Sequence, residues 1–202
     1  MSLLRKYWPV LLVLLGFAAY FASQPHAYYG EPILPPKAAP DFTLRSASGP
    51  VSMADQRGKY VLLFFGFTNC TDVCPTTLNT VKQAYGIMGK QTDQFQTIFV
   101  SVDPARDEPA KLAQYVQAFD PSFIGLTGSK DEIDAVAANY GIYYKMDTPE
   151  ADGAYEVEHT SSMLVIDPEG RIVLVLPYGL SGKQIADDLQ YLLAHPISNE
   201  KR

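Results

Sequence analysis

The stretch Val61-Leu-Leu-Phe-Phe-Gly-Phe-Thr-Asn-Cys70-Thr-Asp-Val-Cys74-Pro75 decides how this chain is read. Seven apolar or small residues in a row, 61–67, are typical of a strand buried on both faces. The strand delivers a thiol to the start of a helix, and a second thiol follows four residues later. These are the two cysteines of the chain. Positions i and i+4 on a helix share a face, with Cβ atoms roughly 5–6 Å apart. Two thiols so placed can share one soft metal ion, or close a disulfide after a small adjustment. A helix N-terminus favours the thiolate, the form that ligates metal and attacks disulfides.

Outward from this stretch, strands and helices alternate. Residues 76–89 carry Leu78, Val81, Tyr85 and Met88 at helical spacing. Residues 95–102 read as a second strand, 108–119 as a helix, 123–126 as a short strand and 130–140 as a helix ending at Gly141. Residues 162–166 and 171–177 form a hairpin about Asp167-Pro-Glu-Gly170, and 184–193 a closing helix. This order predicts an α/β sandwich with a mixed central sheet. The cysteines fall at the carboxyl end of a strand, where open α/β sheets place their sites.

The chain has 202 residues, 47% of them hydrophobic and 19% charged, enough for one full core and an appendage. The appendage is N-terminal. Arg5 and Lys6 precede an uncharged stretch with the apolar heart Trp8-Pro-Val-Leu-Leu-Val-Leu-Leu-Gly-Phe-Ala-Ala-Tyr-Phe21. Tyr20 and Phe21 spoil a signal-peptidase site, so an uncleaved transmembrane helix is expected rather than a leader. The positive-inside rule puts Arg5 and Lys6 in the cytoplasm. The expected organisation is a membrane anchor over 1–24, a Pro-rich tether over 25–40 and a domain over 41–202. With 16 basic and 22 acidic residues the net charge is −6, which argues against nucleic acid or anionic lipid as partner.

Three motifs then become recognisable together: Gly66-Phe-Thr-Asn-Cys-Thr-Asp-Val-Cys-Pro-Thr-Thr-Leu78, Ser101-Val-Asp-Pro-Ala-Arg-Asp107, and His159-Thr-Ser-Ser with Asp167-Pro-Glu-Gly170. In this order, over about residues 40–195, the chain resembles the Sco/SenC family. The resemblance implies a thioredoxin-like central mixed sheet flanked by helices, anchored by one membrane helix. It implies copper delivery to the binuclear copper centre of cytochrome c oxidase, with Cys70, Cys74 and His159 as ligands. Expected partners are the copper-bearing oxidase subunit and other copper chaperones. The expected location is the inner membrane, single-pass, with the C-terminal domain in the periplasm. One departure is visible: the family often has Pro after the first cysteine, and here Thr71 follows it, a residue with no competing soft donor.

Two thiolates and an imidazole suit Cu(I), and the imidazole accepts Cu(II) as well. Zinc, which prefers four ligands, stays open on sequence alone. A structural Cys70–Cys74 disulfide is the plain alternative, although so short a loop gains little from closure. Among functions, a metallochaperone that binds and hands over, without turnover, stands first. A thiol–disulfide reductase using Cys70 and Cys74 as its redox pair stands second, and His159 separates the two, since a reductase has no evident need of it. A peroxiredoxin-like peroxidase is weak, because Arg106 lies outside the cysteine loop. Asp103 and Asp107 are either supports for the site or, favoured for Asp107, a helix N-cap. Asp72 serves either the helix dipole or a partner. Met146 and Met163 read as core, Tyr143, Tyr144 and Tyr155 as packing or partner surface, and His26 and His195 as solvated. The polar stretch 143–158 reads as a long loop ending in His159.

Overall fold

The structure is a computed structural model that describes residues 7, 8, 10, 12, 13, 16, 17, 27–148 and 155–197. Its centre is β4 (Tyr60–Gly66), every residue of which is buried. Alternate side chains serve opposite faces: Tyr60, Leu62 and Phe64 enter one core, and Val61, Leu63 and Phe65 the other. This is why the run carries no polar alternation. β5 (Phe95–Ser101) pairs parallel with β4, and β6 (Ile124–Leu126) parallel with β5. On the other side, β9 (Met163–Ile166) and β10 (Arg171–Leu176) add antiparallel strands.

With β1 (Glu31–Ala38) at one edge, the sheet therefore runs β1-β10-β9-β4-β5-β6, the mixed order of a thioredoxin-like fold. On one face lie α1 (Val73–Met88), α2 (Pro109–Gln117) and α4 (Gly182–Ala194), whose Leu78, Leu112 and Leu189 are completely buried in the first core. On the other lie α3 (Lys130–Asn139) and the hairpin of β2 (Thr43–Ser46) and β3 (Gly49–Ser52), around Ile133 and Leu44. α3 and α4 each open with a capping box, Ser129 with Glu132 and Ser181 with Gln184.

Two elements differ from expectation, and a third lies mostly outside the described residues. Residues 25–40 read as a tether, but Glu31–Ala38 form edge strand β1, antiparallel to β10. Its prolines lack an N–H, which an edge strand tolerates on its open side, and the register breaks between Pro32 and Lys37. The stretch 143–158 read as one loop contains β7 (Tyr144–Met146) and β8 (Val157–His159), paired antiparallel. Strands of three residues with polar members leave no periodic signal. Finally, the segment read as a transmembrane helix lies mostly outside the described residues, and among those described no helix is long and apolar enough to cross a membrane.

Candidate metal centre

β4 ends at Gly66, and the chain turns through 67–72 before α1 begins at Val73. Cys70 thus precedes the helix and Cys74 is its second residue, completely buried. The backbone N–H of Cys74 donates to the Cys70 Sγ at 3.4 Å. The sulfur occupies the position of a helix-capping acceptor, where N–H groups and the macrodipole favour negative charge. No room is left behind it: a Cβ on Gly66 would stand 2.6 Å from the Cys74 Sγ and 2.8 Å from the Phe99 ring. Glycine here lets the strand and the second thiol close together.

His159 arrives from the far side of the sequence as the last residue of β8, opposite Tyr144. Its Nε2 lies 3.6 Å from the Cys74 Sγ, while Nδ1 contacts the Thr160 carbonyl oxygen at 2.9 Å. A proton on Nδ1 satisfies that carbonyl and leaves Nε2 with its lone pair facing the sulfurs. The Phe67 ring meets the imidazole edge-on at 5.8 Å, so the ring is held by packing as well. The donor atoms of Cys70, Cys74 and His159 all lie within 4.8 Å of one another. That is an arrangement able to hold one metal ion with little movement.

The two thiols are not equivalent. The Cys74 thiol donates towards Cys70, and with backbone N–H groups of Cys74 and Asp72 this lowers Cys70 to about 5, against the opposing effect of burial. The Cys74 thiol is pushed upward, first by that same bond to Cys70 and then by burial. One thiolate and one thiol therefore face each other near neutral pH, beside the His159 ring. The cysteines are free thiols and not the structural disulfide weighed above. A groove of about 370 Å³ opens over the group, rimmed by Asp72, Glu156 and Glu158.

The loop 101–107 braces both sides of this site. Asp107 is completely buried. It accepts the Thr68 N–H at 2.9 Å and the Ser101 hydroxyl at 2.7 Å, and takes Lys111 at 3.2 Å and the Thr68 hydroxyl as well. It does not cap α2. The N-cap is Glu108, which makes no side-chain cap bond, and Pro109 occupies the first turn. Asp103 accepts the Tyr155 hydroxyl at 2.7 Å and pairs with Arg106, whose guanidinium lies 3.6 Å from the Tyr155 ring centroid. So Asp107 fixes the cysteine loop and Asp103 the approach to β8. The tie of Thr68 to Asp107 was not singled out from sequence, because partners 39 residues apart leave no local pattern.

The remaining candidates behave as packing. Met163 is buried in the first core and Met146 packs against the second. Tyr144 donates to Asp134, and Tyr143 is exposed. His195 is exposed and stacks on Tyr191 at 4.3 Å. His26 lies outside the described residues.

A family model described as SCO1/SenC matches residues 31–194. The chain is 35% identical over 157 residues to "Protein SCO2 homolog, mitochondrial" of Mus musculus, covering 76% of this chain and 62% of that protein. It spans about six tenths of the length of the first curated relatives it matches. The apo Sco1 protein of Thermus thermophilus superposes with a TM-score of 0.76 at 42% identity, covering 83% of this chain and 98% of that one. Bradyrhizobium japonicum ScoI, solved with copper bound, gives a TM-score of 0.70 at 37% identity, covering 76% of this chain and 98% of that one.

Proposed function

This chain belongs to the SCO1/SenC family, and on that premise we propose that it is a copper metallochaperone serving assembly of the binuclear copper centre of cytochrome c oxidase. The observation that carries the proposal is the convergence of the Cys70, Cys74 and His159 donors within 4.8 Å. Two sulfurs favour Cu(I), and His159 keeps Cu(II) within reach. Three protein donors fall short of the four of a closed structural zinc site.

Copper is cargo here, so the site must load and release. Cys70 is half-buried beside the open groove and Cys74 lies beneath it. An acceptor's sulfur or imidazole can approach the ion from the groove while Cys74 and His159 still hold it. Loading replaces the thiol proton of Cys74 by the metal and so releases it. Residues 1–24 anchor the chain in the inner membrane, the domain lies on the periplasmic side, and the acceptor is the copper-bearing oxidase subunit.

Copper titration tests this reading. The chain should bind about one copper ion. Cys70→Ser or Cys74→Ser should abolish Cu(I) binding, and His159→Ala should weaken binding and alter the Cu(II) spectrum most. Undiminished Cu(II) binding with an unchanged spectrum in His159→Ala would remove the imidazole from the site.

A second reading is favoured by the inequality of the thiols. As a reductase of the acceptor's cysteines, the Cys70 thiolate attacks their disulfide and expels one acceptor thiolate. Cys74 then attacks Cys70, its proton passing to the second departing acceptor sulfur. Cys70 and Cys74 end as a disulfide and the acceptor gains two electrons. Reduction of an acceptor disulfide by the His159→Ala variant at the wild-type rate would separate this activity from copper transfer.

A further inference from the structure

The N-terminal arm enters the domain at the same end of the sheet as the metal group. Glu31 pairs with Val175 near the end of β10, and Leu176 at that end pairs with Met163, the start of β9. Met163 in turn lies opposite Phe64, two residues before the end of β4, from which the cysteine loop departs. The opposite end of the sheet holds the 167–170 turn, where Ala39 donates to the Gly170 carbonyl. Three strand spacings separate β1 from β4, about 14 Å at roughly 4.8 Å each.

The arm is clamped before it reaches β1. Asp188 of α4, completely buried, accepts the Gly30 N–H at 2.8 Å and the Tyr29 N–H at 3.1 Å. The Tyr28 ring meets Tyr191 edge-on at 5.4 Å. The domain therefore holds the chain from about residue 28 onward, and not only from the boundary at 40 that the prolines suggest.

Resting on the anchor reading above, we infer that the metal groove is held at the bilayer-facing end of the domain, and so serves an acceptor whose own metal groups lie close to the membrane surface. The lengths decide it. From residue 24 to Tyr29 the chain spans at most about 18 Å, at ~3.6 Å per residue. Turning the domain over would lift the entry point by the length of β1, eight residues, or about 26 Å at ~3.3 Å each. The leash is too short to allow that. The exposed aromatics agree: Tyr29 precedes β1, Tyr178 follows β10, and Tyr143 is tied to Thr160 beside His159, so all three sit at the groove end. Tyrosine is the side chain suited to a membrane interface. Asp72, Glu156 and Glu158 at the groove oppose its burial against an anionic leaflet.

Energy transfer in vesicles tests the orientation. The full chain is reconstituted in phosphatidylcholine vesicles carrying a headgroup acceptor dye, with one donor fluorophore on a non-natural residue at Thr71 or at Glu169. The expected result is severalfold greater transfer from Thr71. Inserting fifteen Gly/Ser residues between His26 and Ala27 should erase the difference. Equal transfer from the two positions, or greater transfer from Glu169, in chain that floats with the vesicles overturns the orientation and leaves the anchor standing. Chain that fails to float overturns both.

Discussion

The carboxylate of Asp107 holds the Thr68 backbone N–H at 2.9 Å, joining the start of α2 to the loop that carries Cys70. The carboxylate is completely buried and is met by Thr68, Ser101 and Lys111. Asp107→Asn replaces one acceptor oxygen with an NH2 facing donors, and an unsatisfied buried group costs roughly 1–3 kcal/mol. Denaturant unfolding should show a loss of that size. Copper affinity should fall further than in Lys111→Ala, which removes only a partly exposed partner. Unchanged affinity in Asp107→Asn would mean that the cysteine loop holds its shape without this brace.

Thiol titration gives a second expected outcome. Cys70 is lowered to about 5, chiefly by the thiol of Cys74. A folded-state value below the unfolded one, ~8.5 for a free cysteine, stabilises the fold above the unfolded value. That stabilisation is lost as pH falls through the window from about 8.5 to about 5. Cys74 is raised and acts in the opposite sense, stabilising below the unfolded value and losing its effect as pH climbs beyond it. Absorbance at 240 nm in the metal-free protein should record one thiolate forming near pH 5 and no second one at neutral pH. In Cys74→Ala the first donor is gone, and the Cys70 titration should move upward. If it stays near pH 5, the helix N–H groups carry the shift instead.

The parts of this architecture that were legible in sequence are those with local signatures. The run 61–67 announced a central strand because both its faces are core. The Cys70–Cys74 spacing marked a candidate site because a loop running into a helix start brings such pairs together. His159 was found through its motif and not through any periodicity. What escaped was carried by distant partners. β1 is disguised by its prolines and revealed only by the clamp on Asp188 and the register with β10. β7 and β8 are too short to register in a periodic scan. Asp107 has the position of a cap, yet its side chain points to Thr68, 39 residues earlier, a pairing no local pattern encodes.

Gly66 offers a direct probe of the strand–thiol contact. Its added methyl would stand 2.6 Å from the Cys74 Sγ and against the ring of Phe99, neither of which has space to retreat. Gly66→Ala should cost about 1–3 kcal/mol of stability, the usual effect of overpacking a full core. It should also lower copper affinity by displacing Cys74 from His159. Gly86→Ala is the control, since nothing lies within 4 Å of its missing Cβ; on an exposed helix position it should be neutral or stabilising by up to ~1 kcal/mol. Equal behaviour of the two variants would remove the steric argument.

The last expectation concerns how firmly His159 is held before metal arrives. A loop ligand would be loose without copper and fixed by it. Here His159 ends β8, whose partner β7 holds it opposite Tyr144. Beyond the hairpin the Thr160 N–H donates to the Tyr143 carbonyl at 2.9 Å, and the Asp147 N–H to Glu156 at the same distance. Tyr155 is fastened to Asp103 and stacked by Arg106. Hydrogen exchange of the metal-free protein should therefore show the Thr160 and Asp147 amides already slowed, though less than those of β4, because a short two-stranded pair opens more readily than a central strand. Copper should add little to their protection. Tyr155→Phe, which removes one hydrogen bond worth ~1 kcal/mol, should raise exchange at both amides and leave β4 unchanged. Strong protection gained only on copper binding would show that the hairpin forms around the ion and is not the frame that presents His159 to it.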